Sequence, residues 1–350
     1  MKKIKEKILN GKRLNKEEAL CLFNWDLHSL GYLADRIRWR LHPEPVVTYI
    51  VDRNINYSNI CISGCKFCAF WRPKGHKEAY VLSKEALAQK IEETIQLGGI
   101  QILLQGGLHP DWTIKEYEEL LGWIKGKYPQ IWIHGLSAPE IAHIAKQSGL
   151  SIEETLKRLI AAGLNSIPGG GAEILVDRVR KILSPRKCDS ATWLRVMETA
   201  HRLGLKTTAT MMFGHIETYE ERIEHMLKIR KLQDKTGGFT AFIMWPFQPK
   251  NTALNQLQAA GAYEYLKTLA IARIVLDNIP NIQASWVTQG PKIGQLSLLF
   301  GANDMGSLMI EENVVAATGV RFRMEEKEMC HLIKEAGFRP QRRNMLYEWV

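Results

Sequence analysis

Long apolar runs are missing from this 350-residue chain. No stretch approaches the roughly 18 uninterrupted apolar residues of a membrane-spanning helix, so none is expected. Cysteine is scarce, with six in 350 residues. That excludes a disulfide framework and fits a reducing compartment. Linker-like composition shifts, low-complexity tracts and long runs of one charge are also missing. The first residues, MKKIKEKILNGKRLNKEEAL, are basic but lack the continuous apolar segment of a signal peptide. The location expected from these absences is cytoplasmic.

What is present reads as an ordinary globular protein, 45% hydrophobic and 24% charged. The net charge of +10 comes from lysines and arginines mixed with acids along the chain. Short clusters stand at Arg36–Arg40 and Arg339–Arg343. A solvated basic surface or a site for an anionic small molecule explains them better than a nucleic-acid partner does.

Residues 1–45 read as a helical extension, with Leu20, Phe23, Leu27, Leu30 and Ile37 near helical spacing. It is expected to pack across one end of the domain. His42-Pro-Glu-Pro45 stops it. From Val46 onward short apolar strands alternate with amphipathic helices. Strands are expected at 46–51, 100–104, 131–133, 164–167, 206–212, 238–245, 282–287 and at the end of 293–303. Helices begin at Ser83, Thr113, Ser137, Ser151, Asp189 or Ser190, and Thr218, several with a Glu three residues on. Two more are expected at 258–278 and 325–336, the second closing the chain. Such alternation implies a parallel sheet, and about eight units imply a (β/α)8 TIM-type barrel spanning 46–345.

Three cysteines fall within eight residues, Cys61, Cys65 and Cys68, in the loop after the first strand. Closely spaced thiolates select zinc, copper(I) or iron–sulfur clusters. A structural zinc site closes with four protein ligands. A zinc knuckle taking His76 as the fourth is one reading. Three thiolates on a [4Fe–4S] cubane, with one iron left open, is the other. The remaining cysteines, Cys21, Cys188 and Cys330, have no partner at ligand spacing and read as buried thiols.

The pattern C-x3-C-x2-C, with the aromatic Phe67 before the last cysteine, resembles the signature of the radical S-adenosylmethionine (SAM) superfamily. The resemblance implies a [4Fe–4S] cluster and SAM as cofactors. It also implies an electron donor such as a flavodoxin or ferredoxin. Gly106 and Gly107, after the second strand, stand where the family's Gly-Gly stretch meets the SAM amino group, although Leu108 and His109 replace an acid common there. The turn at Gly214 resembles the family's adenine contact. In Pro168-Gly-Gly-Gly-Ala-Glu173, Glu173 suits a ribose diol or an ammonium group, and Arg178 or Arg180 a carboxylate. The alternative for this stretch is a helix starting at Glu173 with a solvated arginine face. His215 is either a catalytic residue or a polar group at a helix start. His76, His109 and His134 fall near strand ends and read as hydrogen-bonded structural residues.

Five stretches extend the likeness: 65–72, 75–83, 168–175, 212–218 and 245–249. Together they resemble the cyclic dehypoxanthine futalosine synthases of menaquinone biosynthesis. Aminofutalosine synthases and the deazaflavin-cofactor synthases are the neighbouring branches. The implied small-molecule substrate is dehypoxanthine futalosine. The implied chemistry is removal of its ribose C4′ hydrogen by a 5′-deoxyadenosyl radical, followed by attack on the benzoate ring. Arg72, or a basic residue near the last strand, is then the candidate for holding the benzoate. Trp71, Phe213, Trp245 and Phe247 are candidates for an aromatic wall. An RNA-modifying radical SAM enzyme and a non-catalytic metal-binding protein are the readings from other classes.

Overall fold

The computed structural model describes residues 2–350. Ten strands form one sheet: β1 Val46–Ile50, β2 Asp52–Asn56, β3 Gln101–Gln105, β4 Trp132–Gly135, β5 Ser166–Ile167, β6 Lys206–Phe213, β7 Phe239–Pro246, β8 Asn281–Gln283, β9 Asp304–Ser307 and β10 Arg339–Arg342. Every pairing between them is parallel. The order runs β10-β1-β9-β8-β7-β6-β5-β4-β3-β2.

Val51 alone separates β1 from β2. β1 pairs with β9 through Thr48 and Asp304, and β2 pairs with β3 through Asp52 and Gln101. The run Val46–Asn56 therefore joins both edges of the sheet and closes it. Backbone bonds from Leu308 to Ile50 and from Ile310 to Asp52 continue the seam. Counted with β1 and β2 as one strand, the barrel has the eight strands the alternation implies. β10 is an extra strand on the outer edge of β1.

The helices begin where their caps say. Ser83, Ser151, Asp189 and Thr218 each accept a backbone N–H at the first turn, and Thr113 and Ser137 form capping boxes. Their apolar faces cover the barrel and form one continuous core. The N-terminal helices Lys2–Leu9, Lys16–Cys21 and Leu27–Leu41 join that core. The longest packs along helix Ala262–Val275, and Arg38 at its end donates to the Val46 carbonyl at 2.7 Å.

Several expectations need correction. The strand sought at 282–287 ends at Gln283, and Trp286–Gln289 is helical. The last barrel strand is Asp304–Ser307, beyond 293–303. The helix at 258–278 is shorter, Ala262–Val275. No helix starts at Glu173: its φ is +42° and the helix begins at Asp177. The helix Glu326–Glu335 does not close the chain, because β10 follows it. Cys21 is exposed, and Cys188 and Cys330 are half-buried.

Candidate active site

The cysteine loop leaves β2 at the C-terminal end of the barrel, where barrels of this kind place their chemistry. Its own backbone holds it: Cys61 N–H donates to the Arg72 carbonyl at 2.9 Å and Arg72 N–H to the Asn59 carbonyl at 2.8 Å. The Arg72 guanidinium is used in the same clamp. It donates to the carbonyls of Ala69, Phe70 and Trp71 and pairs with Glu78 at 2.7 Å. Arg72 thus shapes the loop and does not line the cavity below it.

Cys61 Sγ accepts from the Leu108 N–H at 3.3 Å, and the Ser63 hydroxyl lies 2.9 Å from Cys61 Sγ and 3.3 Å from Cys65 Sγ. Amide and hydroxyl donors of this kind stabilise thiolates. Burial opposes them, pushing Cys65 up to about 11 and Cys68 upward. A soft metal partner removes that penalty by taking the proton's place. Among the described residues no three Cys, His, Asp or Glu side chains converge on one ion position. A tetrahedral zinc needs such convergence, whereas a cubane takes each thiolate on a different iron. His76 stands in an exposed turn, where its Nδ1 accepts from the Glu78 N–H at 3.1 Å. The donor set fits a cluster better than a zinc knuckle.

Below the loop lies a cavity of about 420 Å³. Cys61, Cys65, Cys68, Phe67 and Trp71 line its upper part. Gly106, Gly107, Glu173, Trp245 and Phe247 line its sides. Its lower wall is the inner face of the strands, with polar residues such as Asp52, Asn54, Gln101 and Thr208.

The glycine turn after β3 has a steric cause. A Cβ on Gly106 would lie 2.2 Å from the Tyr57 ring, and Gly107 has φ +133° with Cys61 Sγ 3.1 Å from the Cβ site. Glu140 fastens the turn. Its Oε1 accepts from the Tyr57 hydroxyl at 2.9 Å and from the Gly106 and Gly107 amides at 3.1 and 3.3 Å. In the sequence Glu140 showed only as the Glu three residues after the cap Ser137.

Glu173 sits at the cavity wall in a left-handed conformation. Its Oε1 accepts from Lys187 Nζ at 3.0 Å, and Arg180 stands 3.7 Å from Oε2. Arg180 is otherwise bonded to the carbonyls of Gly171, Ala172 and Cys188. Lys187 lies 5.2 Å from the Phe67 ring centre. Burial alone would lower the Lys187 ammonium, but the charges of Cys65 and Glu173 outweigh it and hold it above its usual range. Lys187 is the cation of this wall. Its sequence signal was the short run Arg186-Lys187-Cys188, fourteen residues after Glu173.

Four other expected site residues lie elsewhere. Arg178 is half exposed and forms a two-pronged pair with Glu221 at 2.7 Å, because the helix beginning at Asp177 turns it outward. The His215 side chain is buried against Glu217 at 2.8 Å and the Met212 carbonyl at 3.0 Å. Phe213 lies under the Arg222 guanidinium at 4.6 Å. Gly214, with φ +83°, donates to Glu217 and packs on Ala260. None of the four lines the cavity. Glu217 organises this turn; its carboxyl is held down at about 2, as His215 and Arg222 overcome the effect of burial.

The floor is a closed polar network. Arg343, just after β10, pairs with Asp304 at 2.6 and 2.9 Å, and Thr48 donates to Asp304 at 2.5 Å. Asp52 accepts from Gln101 at 2.7 Å and from the Ser307 hydroxyl. Tyr347 stacks on Arg343 at 3.9 Å.

A parallel barrel with three thiols above a mostly apolar cavity with a polar lower wall is the architecture of a radical SAM enzyme. Residues 55–229 match the model of the radical SAM superfamily, and residues 236–350 match that of the CofH/MqnC C-terminal region. The chain belongs to the radical SAM superfamily, in the branch that carries this CofH/MqnC C-terminal region. It is 47% identical to the cyclic dehypoxanthine futalosine synthase of Halalkalibacterium halodurans, over 99% of this chain and 94% of that protein. The Streptomyces coelicolor enzyme of the same name is also 47% identical, over 97% of this chain and 86% of its own length. The 5-amino-6-(D-ribitylamino)uracil–L-tyrosine 4-hydroxyphenyl transferase of Methanococcoides burtonii is 43% identical, over 99% and 98%. Among solved structures, methylornithine synthase PylB superposes with a TM-score of 0.74 at 18% identity, covering 96% of this chain and 97% of its own. That last likeness concerns the fold.

Proposed function

We propose that this enzyme cyclises dehypoxanthine futalosine, removing the ribose C4′ hydrogen and joining C4′ to the benzoate ring. The observation that carries the choice is the 47% identity, over nearly the whole chain, to two enzymes named for that product. The cavity supports an aromatic, hydroxyl-bearing substrate, with Trp71, Trp245 and Phe247 in its lining and Asn54, Gln101 and Thr208 at its lower wall.

In this reading Cys61, Cys65 and Cys68 hold the cluster, and Phe67, Gly106, Gly107, Glu173 and Lys187 surround SAM. Together the reduced cluster and SAM supply a 5′-deoxyadenosyl radical when bound. Lys187 and Glu173 offer one charge of each sign to the carboxylate and ammonium of SAM. Trp71, Trp245 and Phe247 press the substrate's ring and ribose together, and the enclosed barrel keeps water from a reactive carbon radical. The test is anaerobic reconstitution followed by product analysis with two substrate sets. Conversion of dehypoxanthine futalosine to a product two hydrogens lighter supports the proposal. Consumption of tyrosine with 5-amino-6-(D-ribitylamino)uracil instead would assign the chain to the transferase activity.

A further inference from the structure

Buried polar side chains normally find a partner within the fold, and those that do not are completed by something else. Two such groups stand side by side at the lower wall of the cavity, on β2 and β3. Asn54 and Gln101 are 5% and 3% exposed, yet among the described residues neither Asn54 Oδ1 nor Gln101 Oε1 has a hydrogen-bond partner. Both residues line the cavity. The other unpartnered oxygens of the lining, Glu173 Oε2 and the Tyr347 hydroxyl, belong to side chains that stand beside Arg180 and Arg343. Asn54 and Gln101 have no such cation.

Their surroundings fix what they can bind. Gln101 Nε2 donates to the Asp52 carboxylate at 2.7 Å, and Asp52 also accepts from the Ser307 hydroxyl. Turning the Gln101 amide over would set its oxygen against that carboxylate, so Oε1 is the end left free. Asn54 lies opposite Leu103, and Gln101 one inward position below Leu103. Nearby polar groups are occupied: His134 Nδ1 lies 2.7 Å from the Ser166 hydroxyl, Thr210 donates to the Gly169 carbonyl at 2.5 Å, and Arg343 pairs with Asp304. Thr208 accepts from the Gly169 N–H at 2.9 Å, which leaves its hydroxyl proton to give. Two acceptors thus share the cavity with two donors, the Asn54 amide nitrogen and the Thr208 hydroxyl. A hydroxyl both donates and accepts, so neighbouring hydroxyls answer this pattern. A carboxylate would only add acceptors to it.

We infer that Asn54 and Gln101 form a hydroxyl-binding subsite at the lower wall and hold the ribose hydroxyls of the substrate. The inference rests on the proposed substrate for the identity of the sugar. It sets how the substrate lies: hydroxyls down on β2 and β3, aryl group against Trp71, Trp245 and Phe247, and the reacting C4′ between them. It also sets a trade between stability and binding. An unpartnered buried oxygen weakens the empty protein, so an apolar residue of similar size at position 54 should strengthen the fold while it weakens substrate binding.

The test uses the reconstituted full-length enzyme with SAM and without reductant, so that substrate binds and is not consumed. Equilibrium dialysis compares dehypoxanthine futalosine with analogues that each lack one ribose hydroxyl. Asn54→Leu and Gln101→Met should each bind the substrate about tenfold more weakly than the wild type, the effect of leaving one hydroxyl unpaired. The wild type should lose about as much on one of the deoxy analogues, and the matching variant should bind that analogue as well as the wild type does. Urea should unfold Asn54→Leu at a higher midpoint than the wild type. Unchanged substrate affinity in both variants would overturn the inference, as would losses that fall equally on the substrate and on every deoxy analogue. Where a variant fails to fold, the wild type's analogue series decides, and equal affinity for all of its members overturns the inference. A wild type that ignores dehypoxanthine futalosine but binds 5-amino-6-(D-ribitylamino)uracil, and does so more weakly in both variants, would refute the proposed substrate and keep the hydroxyl subsite. Binding of neither compound would overturn both.

Discussion

Cys61, Cys65 and Cys68 are the three thiols on which the cluster reading depends. Replacing any one by Ala should remove reconstituted iron and SAM cleavage together, while Cys188→Ala should leave both intact. Iron analysis beside 5′-deoxyadenosine assay checks this, and full activity in any of the three would defeat the cluster reading. The three cysteines were legible because their meaning lies in spacing, and the acid of the cavity wall because Glu173 ends a glycine run. Its cation was not. Choosing among Arg178, Arg180 and Lys187 depends on helix phase, and that follows from the left-handed Glu173 and the start at Asp177. Lys187→Met should therefore weaken SAM binding by roughly 1.5–3 kcal/mol, the range for a charge-assisted hydrogen bond. Arg178→Met should leave it unchanged. Equilibrium dialysis of SAM against both variants decides; the reverse ranking would put Arg178 back in the site.

Elements with an apolar stripe and a cap were readable, and the helices follow their Ser, Thr and Asp caps closely. The elements that escaped are polar strands. Asp52-Arg-Asn-Ile-Asn56 carries no run of β-branched residues, yet it is β2, because Asp52, Asn54 and Asn56 face the polar lower wall of the cavity instead of an oily core. β10 escaped likewise, since Arg339-Pro-Gln-Arg342 reads only as part of a short basic cluster. At this scale the glycine turn after β3 gives a stability prediction. Gly106→Ala forces a methyl into Tyr57, and overpacking of this kind costs about 1–3 kcal/mol. Urea unfolding of the apo-protein should show that loss, with reduced iron retention after reconstitution. Wild-type stability in this variant would mean that the turn yields freely.

Across the whole molecule, the closure of the barrel was foreseeable from the count of strand–helix units, but the route of closure was not. It depends on one extended run, Val46–Asn56, touching both β9 and β3. It also depends on a tail that returns Arg343 to Asp304. Long-range pairings of this sort leave no local mark in a sequence. The interior they create holds histidines uncharged: burial pushes His134 and His225 down to about 3 and His201 to about 4. In the unfolded chain these groups take protons below about pH 6.5, so acid favours unfolding. Stability should fall as pH drops from 6.5 toward 4. The slope should approach about 1.4 kcal/mol per pH unit for each such histidine. Denaturant titrations at pH 7 and pH 5 should show it, and His225→Gln should flatten it; an unchanged slope would show that His225 does not carry the effect.

The central claim is that one carbon–hydrogen bond, at C4′ of dehypoxanthine futalosine, is broken in this cavity. Reconstituted enzyme given SAM, a reductant and substrate deuterated at C4′ should form one 5′-deoxyadenosine per turnover, carrying one deuterium. SAM cleavage that leaves the 5′-deoxyadenosine unlabelled while the substrate is consumed, or leaves this substrate untouched, would contradict it.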